Sequence, residues 1–237
     1  MKNDTILIMP AYNEDMNIGH VLQSLYDAGF GDKMDILVID DGSADQTAKV
    51  ARENGAMVIS QCFNMGYGAA LQTGYKYAAE RDYKYLLQMD ADGQHDVENL
   101  NVIMRRLKGE AEPYDPADRG KIPDIIIGSR FLHGSQSFAI SGLKKIAIGM
   151  FRTVIRQVTG YALTDPTSGL QGLNREAFTY YAKFRQFDIV YPDLNMILQM
   201  LLLGYHIEEI PAIMHERTAG VSMHAGFWKP IKYMLVM

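Results

Sequence analysis

Two aspartates one residue apart, Asp90 and Asp92, follow directly on an apolar run, so both carboxylates can face one crevice. Like charges at that spacing repel unless something neutralises them. A divalent cation does so: hard ions such as Mg2+ or Mn2+ take oxygen ligands, and magnesium needs only one or two protein carboxylates, leaving positions for water and phosphate oxygens. The pair points to a metal-held diphosphate, although an acidic turn that merely caps a helix has the same spelling. Two more polar loops share this character, Pro10-Ala11-Tyr12-Asn13-Glu14 and Asp40-Asp41-Gly42-Ser43. In the second, Ser43 and Asp45 read as turn and cap residues, and Asp41, rather than Asp40, is expected to accept a hydrogen bond from a nucleotide base or ribose. In the first, Glu14 either favours a helix N-terminus or accepts from a ribose, Tyr12 can contact a base, and Pro10 fixes the loop at close approach. Arg130 and Arg217 are the cations expected to stabilise charge on a leaving group; a surface ion pair is the plainer role for each. His95, His215 and His224 are too scattered to read as a metal set.

These loops need a frame. Residues 5–9, 36–39, 85–89 and 125–127 are short apolar runs bounded by turn residues, the pattern of strands buried on both faces of a parallel sheet. Helical spacing lies between them, in Ile18, Val21, Leu22 and Leu25, around residues 48–51, over 69–79, and in Leu100, Ile103, Met104 and Leu107. Alternation of this kind predicts an α/β fold, an open and mostly parallel sheet flanked by helices, with ligands at the carboxyl ends of the strands. All three acidic loops fall on that edge. The loop 64–70, Asn-Met-Gly-Tyr-Gly-Ala-Ala, lacks the lysine and Ser/Thr of a Walker motif and reads as a loop entering a helix. Further on, the sequence predicts helices over 143–159 and 193–203, a glycine-containing segment over 165–174 and a strand near 206–210. Residues 109–123 read as a flexible insertion.

At 237 residues, 48% hydrophobic and 22% charged, the chain can bury a real core, which excludes disorder for most of it. Acidic residues outnumber basic ones 28 to 23, so the net charge of -5 offers no field to gather nucleic acid, and none is expected as a partner. One cysteine, Cys62, cannot form an internal disulfide, which favours the cytoplasm. Residues 2–9 lack the pattern of a signal peptide, and no apolar stretch reaches the ~20 residues of a membrane span.

Six segments in this order, Pro10 to Glu14, Asp40 to Ser43, Asn64-x-Gly-x-Gly, Asp90-Ala91-Asp92-x-Gln94-His95, Ile127 to Arg130 and Asp165-Pro166-Thr167-Ser168-Gly169, resemble family 2 glycosyltransferases of the GT-A fold. Within that family the chain looks most like the polyprenyl-phosphate sugar transferases related to dolichol-phosphate mannose synthase. The likeness covers residues 5 to 222. It implies inverting transfer of a sugar from a nucleotide-diphosphate donor, a UDP- or GDP-sugar, to a polyprenyl phosphate or a cell-surface glycan, with Mg2+ or Mn2+ and no covalent intermediate. Carried over by motif, Pro10, Tyr12, Glu14 and Asp41 would hold the nucleoside, and Ile39 would line the base pocket. Asp90, Ala91, Asp92 and Gln94 would surround metal and diphosphate, with Asp90, Asp92 and Gln94 as ligands. Arg130 and Arg217 would meet donor or acceptor phosphate. A lipid-phosphate acceptor is already an anion and needs no strong base. A hydroxyl acceptor does, with Asp193, or less favourably Asp188, as candidate. Met223 follows the Arg217 segment where the lipid-phosphate enzymes usually carry a basic residue.

The resemblance divides the chain into a glycosyltransferase domain over 1–225 and an amphipathic end over 226–237. That end could lie on the inner face of a membrane, meet a membrane-protein partner or pack as a final helix. The alternative function is a non-catalytic nucleotide-sugar-binding module or accessory subunit. A sugar-nucleotide pyrophosphorylase is disfavoured, because its glycine-and-arginine loop is replaced by Pro10 to Glu14.

Overall fold

The computed structural model describes residues 3–136, 142–190, 192 and 194–216. Seven strands form one sheet: β1 (Thr5–Ala11), β2 (Asp35–Asp40), β3 (Met57–Ser60), β4 (Tyr85–Gln88), β5 (Ile125–Ser129), β6 (Gln171–Asn174) and β7 (Ile207–Pro211), in the order β3-β2-β1-β4-β6-β5-β7. β1, β2, β3 and β4 are parallel, and so are β5 and β7. β6 runs antiparallel between β4 and β5, with Gln88 opposite Gln171 and Ile127 opposite Gln171 on its other side.

The helices are α1 (Asp15–Asp27), α2 (Phe30–Lys33), α3 (Thr47–Glu53), α4 (Tyr67–Glu80), α5 (Glu98–Leu107), α6 (Gly142–Thr159), α7 (Arg175–Ala182) and α8 (Leu194–Leu202). They cover both faces of the sheet, which is why β1 and β2 are apolar without alternation. Along β1, Ile6 and Ile8 pack with Leu71 and Tyr75 of α4 on one face, while Leu7 and Met9 pack with Ile18 and Leu22 of α1 on the other. α4 lies unusually close to the sheet: a methyl group added at Gly74 would come within 2.8 Å of Ile8 Cδ1 and 3.1 Å of Ile39 Cδ1.

The parallel strands, the mixed sheet and the flanking helices match the expected class. Three elements do not read from the sequence. β3 is a half-exposed edge strand, so its apolar signal is weak. β6 carries Gln171, Gly172 and Asn174 within four residues, and α5 passes so close to Gly172 that a side chain there would collide with Ile103 and Leu107. α7 begins at Asn174, whose side chain accepts a hydrogen bond from Ala177 N at 2.9 Å, an N-cap hidden at the end of a strand.

The stretch 109–123, expected as a flexible insertion, is anchored. Arg106 forms a buried ion pair with Glu208, at 2.7 Å from Nη2 to Oε2, and also donates to Lys121 O at 2.7 Å. Tyr114 N donates to Glu208 at 3.2 Å. The C-terminal segment 226–237 lies outside the described residues. Among the described residues, no helix is long and apolar enough to cross a membrane.

Candidate active site

The carboxyl ends of β1, β2, β4 and β5 lie on one edge of the sheet, so the loops that follow them meet there. β6 runs the other way, so it delivers the loop that precedes it, residues 165–169, to the same edge. A cleft of about 230 Å³ opens between them. Pro10, Tyr12, Glu14 and Asp41 line it on one side, Asp90, Ala91, Asp92 and Gln94 on its floor, and Arg130 with residues 167–169 on the other side. Every expected residue among these is therefore brought together. Ile39 is not: its side chain is fully buried in the core beneath α4 and does not line the cleft. Arg217 and Asp193 lie outside the described residues.

The first two loops are stapled to each other. Asn13, with a left-handed φ of 54°, donates its N–H to Ser43 Oγ at 3.0 Å and accepts from Ala44 N at 2.9 Å through its side chain. Asp40 accepts from Ser43 N at 3.1 Å and Asp45 from Thr47 N at 2.9 Å, so both serve the turn, as expected for Asp45. Asp41 faces the cleft and accepts from Met65 N and Gly66 N, each at 2.8 Å, which fixes the loop entering α4. Burial nevertheless holds its carboxyl above the usual aspartate range. Glu14 is buried, accepts from Asn17 Nδ2 at 2.7 Å, and lines the same wall.

The glycines of the 64–70 loop serve packing and turn geometry. Gly66 has a φ of 97°, and a side chain at Gly68 would strike the backbone of Ile189 at 2.5 Å. Asp188 does not line the cleft. It accepts from Val190 N and Asn195 Nδ2, at 2.8 and 2.6 Å, and organises the approach to α8.

Asp90 is the most heavily supported carboxylate on the floor. Tyr67 donates its hydroxyl to Oδ1 at 3.0 Å, and the His95 Nε2 lies 3.5 Å from Oδ2. Burial alone would raise this carboxyl. The hydrogen bond and charge of His95, the Tyr67 hydroxyl and the charge of Arg130 outweigh it and leave Asp90 below the ordinary range, ionised at neutral pH. Gly169 closes the other side, where a side chain would meet Oδ2 at 2.5 Å. Asp92 accepts from Gln94 N at 3.0 Å, curling the loop so that both residues border the cleft.

Arg130 is not a surface ion pair. Its guanidinium is mostly buried and grips Asp165 in two places, Nε to Oδ2 at 2.6 Å and Nη2 to Oδ1 at 2.7 Å, with Thr167 Oγ at 2.9 Å. Asp165 is itself held by its N–H, which donates to Glu209 at 2.6 Å. The arginine is thus fixed as one wall of the cleft, with the Asp165 carboxylate as its counter-ion.

Tyr67, His95 and the 167–169 loop also line the cleft, although the sequence gives them no individual role there. His95 is buried, its Nδ1 lacking a hydrogen-bond partner among the described residues, and its position directly after Gln94 gives no hint of that burial. Tyr67 reads as a helix-start residue.

A second group with metal-ligating atoms stands elsewhere. Asp118, His206 and Glu208 bring ligand atoms within 4.8 Å of one another, at the amino end of β7 and so on the opposite edge of the sheet. Glu208 there is already the partner of Arg106, and Asp118 of Lys121 at 3.1 Å.

The chain matches the family model described as glycosyl transferase family 2 over residues 6–181. It is 32% identical to an uncharacterized protein of Methanocaldococcus jannaschii, over all of this chain and 92% of that protein. It is 27% identical to the polyprenol monophosphomannose synthase of Mycolicibacterium smegmatis, over 94% of this chain and 81% of the other. Among solved structures, the glucosyl-3-phosphoglycerate synthase of Mycobacterium tuberculosis in complex with Mn2+, UDP and glucosyl-3-phosphoglycerate superposes with a TM-score of 0.63. That match covers 92% of this chain and 72% of that one at 20% identity, a likeness of fold. The six ordered loop motifs, the cleft they build and the match over most of the sequence agree: this chain belongs to glycosyl transferase family 2 and has the GT-A fold.

Proposed function

We propose that this chain is a metal-dependent, inverting hexosyltransferase that moves a sugar from a nucleotide-diphosphate donor to a polyprenyl phosphate. The observation that carries the reading is the cleft itself: a nucleoside wall of Pro10, Tyr12, Glu14 and Asp41 meets the Asp90, Asp92 and Gln94 floor, with Arg130 opposite. Relatives named for polyprenol and undecaprenyl phosphate mannosyl transfer support the acceptor class. The floor suits a hard divalent cation, since it offers two carboxylates and an amide oxygen, and a structural neighbour carries Mn2+ with UDP. Such a cation supplies charge neutralisation for the departing diphosphate.

The chain's own groups do the rest. The nucleoside wall orients the donor so that its anomeric carbon faces the side of the cleft bounded by Arg130. A phosphate oxygen of the acceptor attacks that carbon as the bond to the nucleoside diphosphate breaks on the opposite face, which inverts the centre. The nucleophile is an anion, so no carboxylate has to remove a proton, and Asp188, spent on Val190 and Asn195, is not needed as a base. Arg217 joins Arg130 in this reading as a phosphate contact. The enzyme works from the cytoplasm against the membrane face that presents the lipid, with residues 226–237 as its contact.

Incubation with UDP- or GDP-linked radioactive hexose, Mn2+ and undecaprenyl or dolichyl phosphate tests the reading. Label should move into an organic-soluble lipid phosphate sugar. Donor hydrolysis alone, or transfer only to a sugar hydroxyl, would overturn it.

A further inference from the structure

Gln88 is a buried polar residue at the end of an otherwise apolar β4, 2% exposed, and the reaction outlined above gives it no task. A side-chain amide in that place costs free energy unless all of its groups are bonded. They are. Tyr75, fully buried on α4, donates its hydroxyl to Gln88 Oε1 at 2.5 Å. Gln88 Nε2 donates to Gly169 O at 3.1 Å and to the Tyr67 hydroxyl oxygen at 3.3 Å. Tyr67 in turn donates to Asp90 Oδ1 at 3.0 Å.

This chain of bonds has one possible polarity. The carbonyl of Gly169 can only accept, so the NH2 side of Gln88 must face it, and Oε1 must face Tyr75. With a Gln88 N–H directed at the Tyr67 oxygen, the Tyr67 proton is turned toward Asp90 Oδ1. We propose that Gln88 and Tyr67 are positioning residues that set the orientation of the Asp90 carboxylate toward the divalent cation, through the relay Tyr75, Gln88, Tyr67, Asp90. The relay starts in the core and ends at the cleft, so a ligand on a loop is referenced to the least mobile part of the fold. It also joins the Asp90 loop to the 165–169 loop through the Gly169 carbonyl. A neutral hydroxyl on Oδ1 fixes the carboxylate while leaving its charge for the ion, which a lysine or arginine in the same place would not.

The inference rests on the metal role given to Asp90 above, and the test separates the two. Mn2+ is titrated calorimetrically, with UDP present, into the wild type, Tyr67→Phe, Gln88→Glu, the double variant and Tyr75→Phe; metal-free melting is recorded for each. Gln88→Glu has no N–H and accepts the Tyr67 proton itself, drawing it from Asp90. Tyr67→Phe and Gln88→Glu should each weaken Mn2+ binding by about 10- to 100-fold, the range for outer-shell partners of metal ligands. The double variant should be no weaker than the worse single, because both break the same bond. Tyr75→Phe frees the far end of the relay and should cost a few-fold. Tyr67→Phe removes one oxygen from a half-buried residue and keeps the test open if Gln88→Glu does not fold. Wild-type binding with Tyr67→Phe unaffected would overturn the relay alone. Losses that multiply in the double variant would also overturn it. A wild type that binds no Mn2+ would overturn the metal reading, and this inference with it.

Discussion

The two edges of the sheet each gather carboxylates and a histidine, and the two sets differ in what balances their charge. At the far edge, Asp118, His206 and Glu208 converge more tightly, but Glu208 is bonded by Arg106 through Nε and Nη2, and Asp118 is paired with Lys121. Glu208 is thus balanced by a buried cation, and Asp118 by a lysine that is itself more than half exposed. On the cleft edge, Asp90 accepts from a tyrosine hydroxyl and lies beside the His95 ring, and the charges of His95 and Arg130 help to keep it ionised. Distance between ligand atoms is therefore a poor guide; what matters is whether the neighbours consume the charge or only aim it.

The most severe way to break this contrast is Asp92→Asn, which keeps side-chain volume and removes a charge from the floor. Sugar transfer should fall to background while the metal-free melting temperature stays put, as followed by product assay and calorimetry. Retained activity would count against the floor as the metal site. Arg106→Met leaves Glu208 buried without its partner and should cost about 3–5 kcal/mol of stability. Denaturant unfolding measures that loss, and Mn2+ affinity of the folded fraction should not change.

Gly169→Ala tests the floor from its other side. The added methyl group must displace the Asp90 carboxylate, so Mn2+ affinity should drop by about tenfold or more, the scale of a disturbed metal surround. His206→Ala sharpens the contrast by doing nothing there: the shift in melting temperature that Mn2+ gives with UDP should match the wild type.

A small effect on stability belongs to a third carboxylate, on the surface. Asp4 lies 3.0 Å from Lys108 Nζ. Partial burial raises its carboxyl, but the bonds from Lys108 and Thr5 prevail and hold it below 3.8. A lowered folded value means that its stabilisation is present above the unfolded value near 3.8 and is lost as pH falls through the folded one. Lys108→Met should remove less than about 1 kcal/mol at neutral pH, and melting curves of the two proteins should converge in acid.

Much of this was written in the sequence. Apolar runs without alternation gave the parallel strands, because a strand covered on both faces has no polar side to show. Acidic residues just beyond those runs gave the carboxylates that line the cleft. β6 was hidden because it is built from residues selected for close passage of α5 and not for a strand pattern, as Gly172 shows. The resemblance implies that Ile39 lines a base pocket, but Gly74 lets α4 come down upon its side chain and the residue faces the helix instead. Gln88 carried a legible hint, a lone amide inside an apolar strand. Its three partners come from the first residue and the middle of α4 and from the loop before β6, and no linear spacing announces them.

The reversed strand has a mechanical consequence. β6 is bonded along its length to β4, which bears the acidic floor, and to β5, which bears Arg130. The two banks of the cleft are thereby splinted into one plate, and neither can slide past the other without tearing a ladder of backbone bonds. Entry of donor and departure of spent nucleotide must then be accommodated by movement of the loops above that plate, while the spacing between acid floor and arginine wall is kept from one turnover to the next.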